Sequence, residues 1–330
     1  YDQQKATLAI RPTAATWKKV SATDSASTKH YMTWTSYTEY ATLVQSATNS
    51  LNFTVTETVP ARVSGDLKAL DGGSLGSASD DETGGQLIWR AFWTKDSAKA
   101  SDLGTFEIVD GKDLSYNNQS SNPNTTGALV SEAFASANNL KVGDTLEVAA
   151  ASDAKTTAKL KVHGIYKYTS ESAVANPVTA ARNRENAIFT NYQTFAKAGL
   201  DPQSTDKTVS GWAVPDLDVV FDAGDSATYK SLVSTLKKSK LPAKGYEFSS
   251  PSLESYNASL EPLDTLSSRA KTGTIVLVAV GGVLLLILVL SGVWASKRDD
   301  EIGMALVSGV TRGRLGWQFM LEVFIVTLPF

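Results

Sequence analysis

From Ile275 to Ala295 the chain reads IVLVAVGGVLLLILVLSGVWA, 21 residues without a charged side chain. As a helix, at about 1.5 Å per residue, such a run rises about 31 Å, the thickness of a bilayer's hydrocarbon core. A helix of that length on a soluble protein has a side facing water and carries polar residues there. The segment 273–296 is therefore read as a transmembrane helix, with Trp294 at the edge where interfacial aromatic rings sit.

Basic residues orient it. Arg269 and Lys271 precede the span, while Lys297, Arg298, Arg312 and Arg314 follow it, and the excess places the C-terminal side in the cytoplasm. Residues 1–272 then form an extracytoplasmic domain and 297–316 a cytoplasmic turn. Phe319–Phe330 (FMLEVFIVTLPF) is too short to span and is read, within 317–330, as the start of a further transmembrane helix. The expected location is the cell membrane, multi-pass, with the bilayer itself as a partner. A large exported domain ahead of this helix needs an earlier span or signal, and both ends of the sequence are expected to be cut.

The exported part alternates strand and helix patterns, an α+β signature. Thr7–Arg11 reads as a strand, Ser36 opens a helix to about Thr48, and Leu51–Val59 alternates as a strand. Leu217–Phe221, a helix capped by Ser226 and running to about Lys238, and Gly245–Phe248 repeat the strand–helix–strand order. Two such halves, 1–70 and 190–250, predict one split βαβ sheet with both helices on one face. Residues 86–189 are then an inserted, strand-rich subdomain, with strands at Leu87–Thr94, Thr105–Val109, Thr145–Ala149 and Ala158–Tyr168. Asp71–Gly85 and Asn117–Thr126 are turn-rich and are expected to be mobile. In 252–272 the apolar residues Leu253, Tyr256, Leu260, Leu263 and Leu266 recur at helical spacing, either as a stalk leading to the membrane or as a plain packing helix.

Several chemistries are excluded or left without residues. Net charge is −3 with no block of like charge, so nucleic acid is not an expected partner. The chain has no cysteine, which removes thiolate sites and disulfides. Its two histidines, His30 and His163, are far apart, and a structural role is expected for them. Asp80-Asp81-Glu82 lacks calcium-loop spacing, and Gly72–Gly76 lacks the Gly-Lys-Ser/Thr end of a phosphate loop. No catalytic residue, metal site or cofactor is expected, and ATP would be handled by another chain.

After the span comes Lys297-Arg298-Asp299-Asp300-Glu301-Ile302-Gly303-Met304-Ala305-Leu306-Val307-Ser308-Gly309-Val310-Thr311-Arg312, then Leu321-Glu322 in the next apolar stretch. This resembles the FtsX-like (MacB-type) ABC transporter permeases, whose cytoplasmic turn reads R-x-x-E-I-G-x-x-x-x-x-G-[AS]-[ST] ahead of a Leu-Glu. Arg298, Glu301, Ile302, Gly303, Gly309 and Thr311 fall on that pattern, while Leu306 and Ser308 depart from the residues many members carry. Ala128–Ala135, Leu140–Leu146 with its Val-Gly-Asp-Thr turn, and Lys161–Tyr166 are similar to the family's exported-domain signature.

The resemblance implies a permease subunit that is not itself an enzyme. It would couple ATP hydrolysis in a separate ABC ATPase subunit to motion of the exported domain, as a transporter or a mechanical transmitter. A second permease copy, as a dimer, and an unidentified exported substrate or extracytoplasmic partner are also implied. The coupling residues would be Arg298, Glu301, Ile302, Gly303, Met304, Leu306, Val307, Gly309 and Thr311: Ile302, Met304, Leu306 and Val307 would seat in a groove of the ATPase and Arg298 and Glu301 would hold the orientation, while Gly303 and Gly309 bracket the apolar cluster. Two other readings of the residues remain open. In one, a membrane-anchored receptor or adhesin binds a ligand through its exported domain. In the other, a tethered hydrolase requires a polar cluster that the sequence does not display.

Overall fold

The computed structural model describes residues 5–22, 30–116, 125–200, 211–241, 245–254, 271–283 and 299–327. The chain divides into two compact units, Tyr1–Tyr256 and Asn257–Phe330. The first is a mixed α/β domain.

Its strands are β1 (Ala6–Pro12), β2 (Phe53–Val63), β3 (Leu87–Phe92), β4 (Phe106–Gly111), β5 (Gly127–Ser131), β6 (Thr145–Ala150), β7 (Thr157–Tyr168), β8 (Ala187–Asn191), β9 (Asp216–Gly224) and β10 (Tyr246–Ser249). Hydrogen bonding runs in the order β10-β1-β9-β2-β3-β8-β5-β7-β4, and β6 bridges β2 and β7. Through β6 the strands β2, β3, β8, β5, β7 and β6 close into a ring, a small barrel, while β10, β1 and β9 continue from β2 as an open sheet.

β2 belongs to both parts. One of its edges pairs with β9 over Phe53–Thr58 and then with β6 over Ala61–Val63. Pro60, which has no N–H to leave unsatisfied, falls where the partner changes. The strands of residues 86–189 thus share the sheet of the flanking halves through β2 and β3.

On the open sheet, Leu8, Ile10, Val55, Leu217, Val219 and Phe221 point to one face and pack under the helices Trp34–Thr48 and Ser226–Lys238. The first helix starts two residues before the expected Ser36. Thr33 is its cap, accepting from the Ser36 amide, and Trp34 enters the helix to lie against Trp93, with ring centroids 5.5 Å apart. The second is capped not by Ser226, which is its first helical residue, but by Asp225, whose carboxylate accepts from the Thr228 amide at 2.7 Å and so satisfies an open amide of the first turn.

The barrel interior holds Val59, Leu87, Trp89, Val130, Val148, Leu160, Val162 and Ile188. Trp89 stands edge-on to Phe195 and Trp212, at 5.1 and 5.2 Å, and its indole N–H donates to Thr190. Gly143 (φ +100°) turns the chain into β6 and donates to the Val162 carbonyl at 2.8 Å, while the Asp144 carboxylate accepts from the Lys141 amide. At Gly164 a Cβ would lie 2.5 Å from the Lys112 carbonyl oxygen, so the end of β4, which pairs antiparallel with β7, closes on it only because no side chain is there.

The turn-rich stretch Asp71–Gly85 is tied down rather than hanging free. Ser79 and Glu82 form a capping box on the helix Asp80–Thr83, which absorbs the acidic run into its first turn. The Leu75 amide donates to Ala181, and Asn183 reaches the Asp71 carbonyl. Buried Arg182 donates to the carbonyls of Thr83, Gly85 and Val178. Residues 117–124 of the other turn-rich stretch lie outside the described residues.

In the second unit, residues 271–283 are helical with exposed apolar side chains on every side, Ile275, Leu277, Val278 and Val280 among them. Residues 284–298 lie outside the described residues, and so does 255–270 of the expected stalk. Among the described residues no helix is long and apolar enough to cross a membrane.

Candidate functional site

The segment Asp299–Val307 (DDEIGMALV) is a helix. Its stop is fully specified: the Gly309 amide donates to the Leu306 carbonyl at 3.3 Å and the Val310 amide to Ala305 at 3.1 Å. This pair of bonds, with Gly309 at φ +86°, is a Schellman closure. The chain then enters a helix over Arg312–Thr327, for which Thr311 supplies the opening carbonyl, accepting from Arg314 at 3.0 Å and Leu315 at 3.2 Å. One glycine in the left-handed region thus separates two helices with two residues between it and the next turn.

The expected coupling residues from Glu301 to Thr311 have places in this helix–turn–helix. Met304 and Val307, one turn apart on one face, are 72 % and 91 % exposed, and Gly303 beside them is open on its Cβ side. Leu306 is 40 % exposed and Ile302 part-buried, on a neighbouring face. Glu301 lies in the helix with its side chain outside the described residues, and Arg298 lies outside them altogether. Gly309 and Thr311 form the turn rather than the face.

The helix after the turn starts at Arg312, inside the stretch read as turn. Along it Trp317, Met320, Leu321 and Phe324 are exposed at intervals of three, one and three residues, a continuous apolar stripe. That spacing is present in the sequence, and glycines at 313 and 316 obscure it as a helix signal. In the first unit, His30 and His163 contribute backbone carbonyls to Tyr246 and Lys112 respectively. Among the described residues no group of acidic and histidine side chains could hold a metal ion.

Gly309→Val should strain the turn by more than about 1 kcal/mol, because a β-branched residue resists the left-handed conformation. Faster hydrogen exchange at the Val310 amide, whose acceptor is Ala305, is the expected signature.

Residues 273–330 match the FtsX-like permease C-terminal family. A curated relative, an uncharacterized ABC transporter permease, YclI, of Bacillus subtilis (strain 168), is 26 % identical over 225 residues, which is 68 % of this chain and 43 % of that protein. The chain therefore spans less than half the relative's length.

Proposed function

We propose that this chain, whose C-terminal segment carries the FtsX-like permease pattern, is part of the membrane subunit of an ABC transporter or of an ATP-driven mechanotransmission complex. The observation that carries the reading is the helix Asp299–Val307, which presents Met304 and Val307 to solvent and ends on a glycine-locked turn. A short helix with an apolar tip and a fixed exit is suited to seat in a groove of an ATPase subunit and to pass its displacement on to the adjoining helices.

In this reading residues 273–296 and the apolar stripe of Arg312–Thr327 meet lipid or a second permease copy. The subunit hydrolyses no ATP itself, and the α/β domain stands outside the cytoplasm, where it engages an exported substrate or partner. Movement of the Asp299–Thr311 turn when the ATPase closes would tilt the preceding span and displace that domain.

Topology is tested first. A reporter active only outside the cytoplasm should be silent when fused after Val310 and active when inserted near Ser120, both in the full-length protein. The opposite pattern overturns the orientation and, with it, the cytoplasmic role of the turn.

A further inference from the structure

Arg312 and Arg314 are exposed in the first turn of the helix Arg312–Thr327. The ion pairs formed between described residues all lie in the unit ending at Tyr256, so among those residues neither guanidinium has a carboxylate partner. At about 100° per residue the two side chains leave the helix about 160° apart. They border the stripe of Trp317, Met320, Leu321 and Phe324, one on either side.

Between the arginines, on the stripe's side, come Gly313 and Gly316. A Cβ at either would meet nothing within 4 Å among the described residues outside its own turn. The opposite side of the helix is the one that packs, with Leu315 and Phe319 part-buried. The first turn thus offers a shallow floor of bare backbone with a guanidinium at each edge. Below it the same face continues through an indole to methionine, leucine and phenylalanine over about 18 Å of helix. Cation, indole and hydrocarbon follow the order of phosphate, interface and acyl chain in a phospholipid leaflet.

We propose that this face is a binding site for an anionic phospholipid of the cytoplasmic leaflet. Arg312 and Arg314 take the phosphate and its anionic headgroup over the Gly313–Gly316 floor, and Trp317, Met320 and Phe324 lie along the acyl chains. The inference rests on the membrane reading proposed above and names the occupant of this face.

A second copy of the chain fits the face less well. Helices inserted in the same direction about a two-fold axis bring each residue to the depth of its own image, so Arg314 would approach Arg314. Like charges opposed across an interface weaken it, whereas a lipid phosphate supplies the counter-charge and accepts from the guanidinium forks. A zwitterionic headgroup carries the same phosphate, but its ammonium returns the positive charge, which is why the site should select a net anionic lipid.

The test uses the full-length protein in phosphatidylcholine vesicles with a small fraction of the lipid dibrominated, either as phosphatidylglycerol or as phosphatidylcholine. Quenching of Trp317 is read as wild-type emission minus that of Trp317→Phe. The anionic lipid should quench at about a tenfold lower mole fraction than the zwitterionic one. The double variant Arg312→Gln, Arg314→Gln should make the two lipids equal. Gly316→Leu, which fills the floor and keeps both charges, should lose most of the preference. Equal quenching in the wild type overturns the site and leaves the membrane reading standing. No quenching by either lipid, with the reporter after Val310 silent, means that protein covers the face and also overturns it. An active reporter there overturns the orientation and the site together. A preference abolished by millimolar inorganic phosphate assigns the arginines to the free anion and overturns the lipid assignment. Should the double variant not insert, Gly316→Leu decides: a full wild-type preference overturns the site, and its loss supports it.

Discussion

Arg182→Leu should destabilise the unit ending at Tyr256 by about 3–5 kcal/mol, the cost of leaving several buried carbonyls without a donor. The side chain is 5 % exposed, and all three of its nitrogens donate to backbone oxygens: Nε to Gly85 at 3.0 Å, Nη2 to Thr83 at 2.6 Å, and Nη1 to Val178. No carboxylate is among these acceptors, so burial alone is what pulls the guanidinium down to about 10, with Tyr31 opposing. The residue stays cationic at neutral pH, and its desolvation is offset only by those carbonyl dipoles.

Leucine fills the space but satisfies none of the oxygens. Lysine keeps the charge, yet one ammonium cannot span three acceptors set by a planar fork, so Arg182→Lys should fall between wild type and leucine. Denaturant unfolding of the full chain in mild detergent, followed by tryptophan emission, measures the order. A leucine variant within about 0.5 kcal/mol of wild type would show that the stretch Asp71–Gly85 does not depend on this residue.

That stretch also shows where sequence reasoning stops. Its glycines and serines read as a loose loop, because local composition reports turn propensity and not what a distant arginine will do with the carbonyls. Arg182 lies about a hundred residues further on, and no local pattern links the two. By contrast, β1 and the helices Trp34–Thr48 and Ser226–Lys238 were legible within one or two residues, and β9 within three, because their apolar spacing is a local signal.

β8 (Ala187–Asn191) is buried at every position and gave no alternation to read. Barrel closure through β6 could not be read at all: it depends on β2 changing partners at Pro60, a choice made by tertiary pairing. At the candidate site the order of residues was legible and the division of labour was not. Gly309 and Thr311 belonged to the motif, but only geometry separates residues that shape the turn from Met304 and Val307, which form its face.

On the function proposed above, Met304→Asp should uncouple an ATPase partner from the α/β domain while leaving membrane insertion and the α/β unit intact. The side chain makes the exposed tip of a nine-residue helix with Val307, so among the described residues little packing is lost when it becomes charged. An apolar pair left facing water on a short helix has a cost that docking would recover. Burying both side chains would contribute about 3–5 kcal/mol of gross docking energy, before the entropy of association. Placing a carboxylate in an apolar groove reverses that contribution and adds its desolvation penalty, so docking should weaken by two orders of magnitude or more. Glu301→Lys tests the orienting charge on the same helix, and Val307→Asp tests the second member of the pair. Two assays decide the matter on the full-length protein: retention of the ATPase subunit on purification, and transport or signalling in cells. Variants that insert normally, keep their ATPase and work at the wild-type rate would remove the coupling role from this helix. The exposed α/β domain on a passive anchor would then be the better account of the chain.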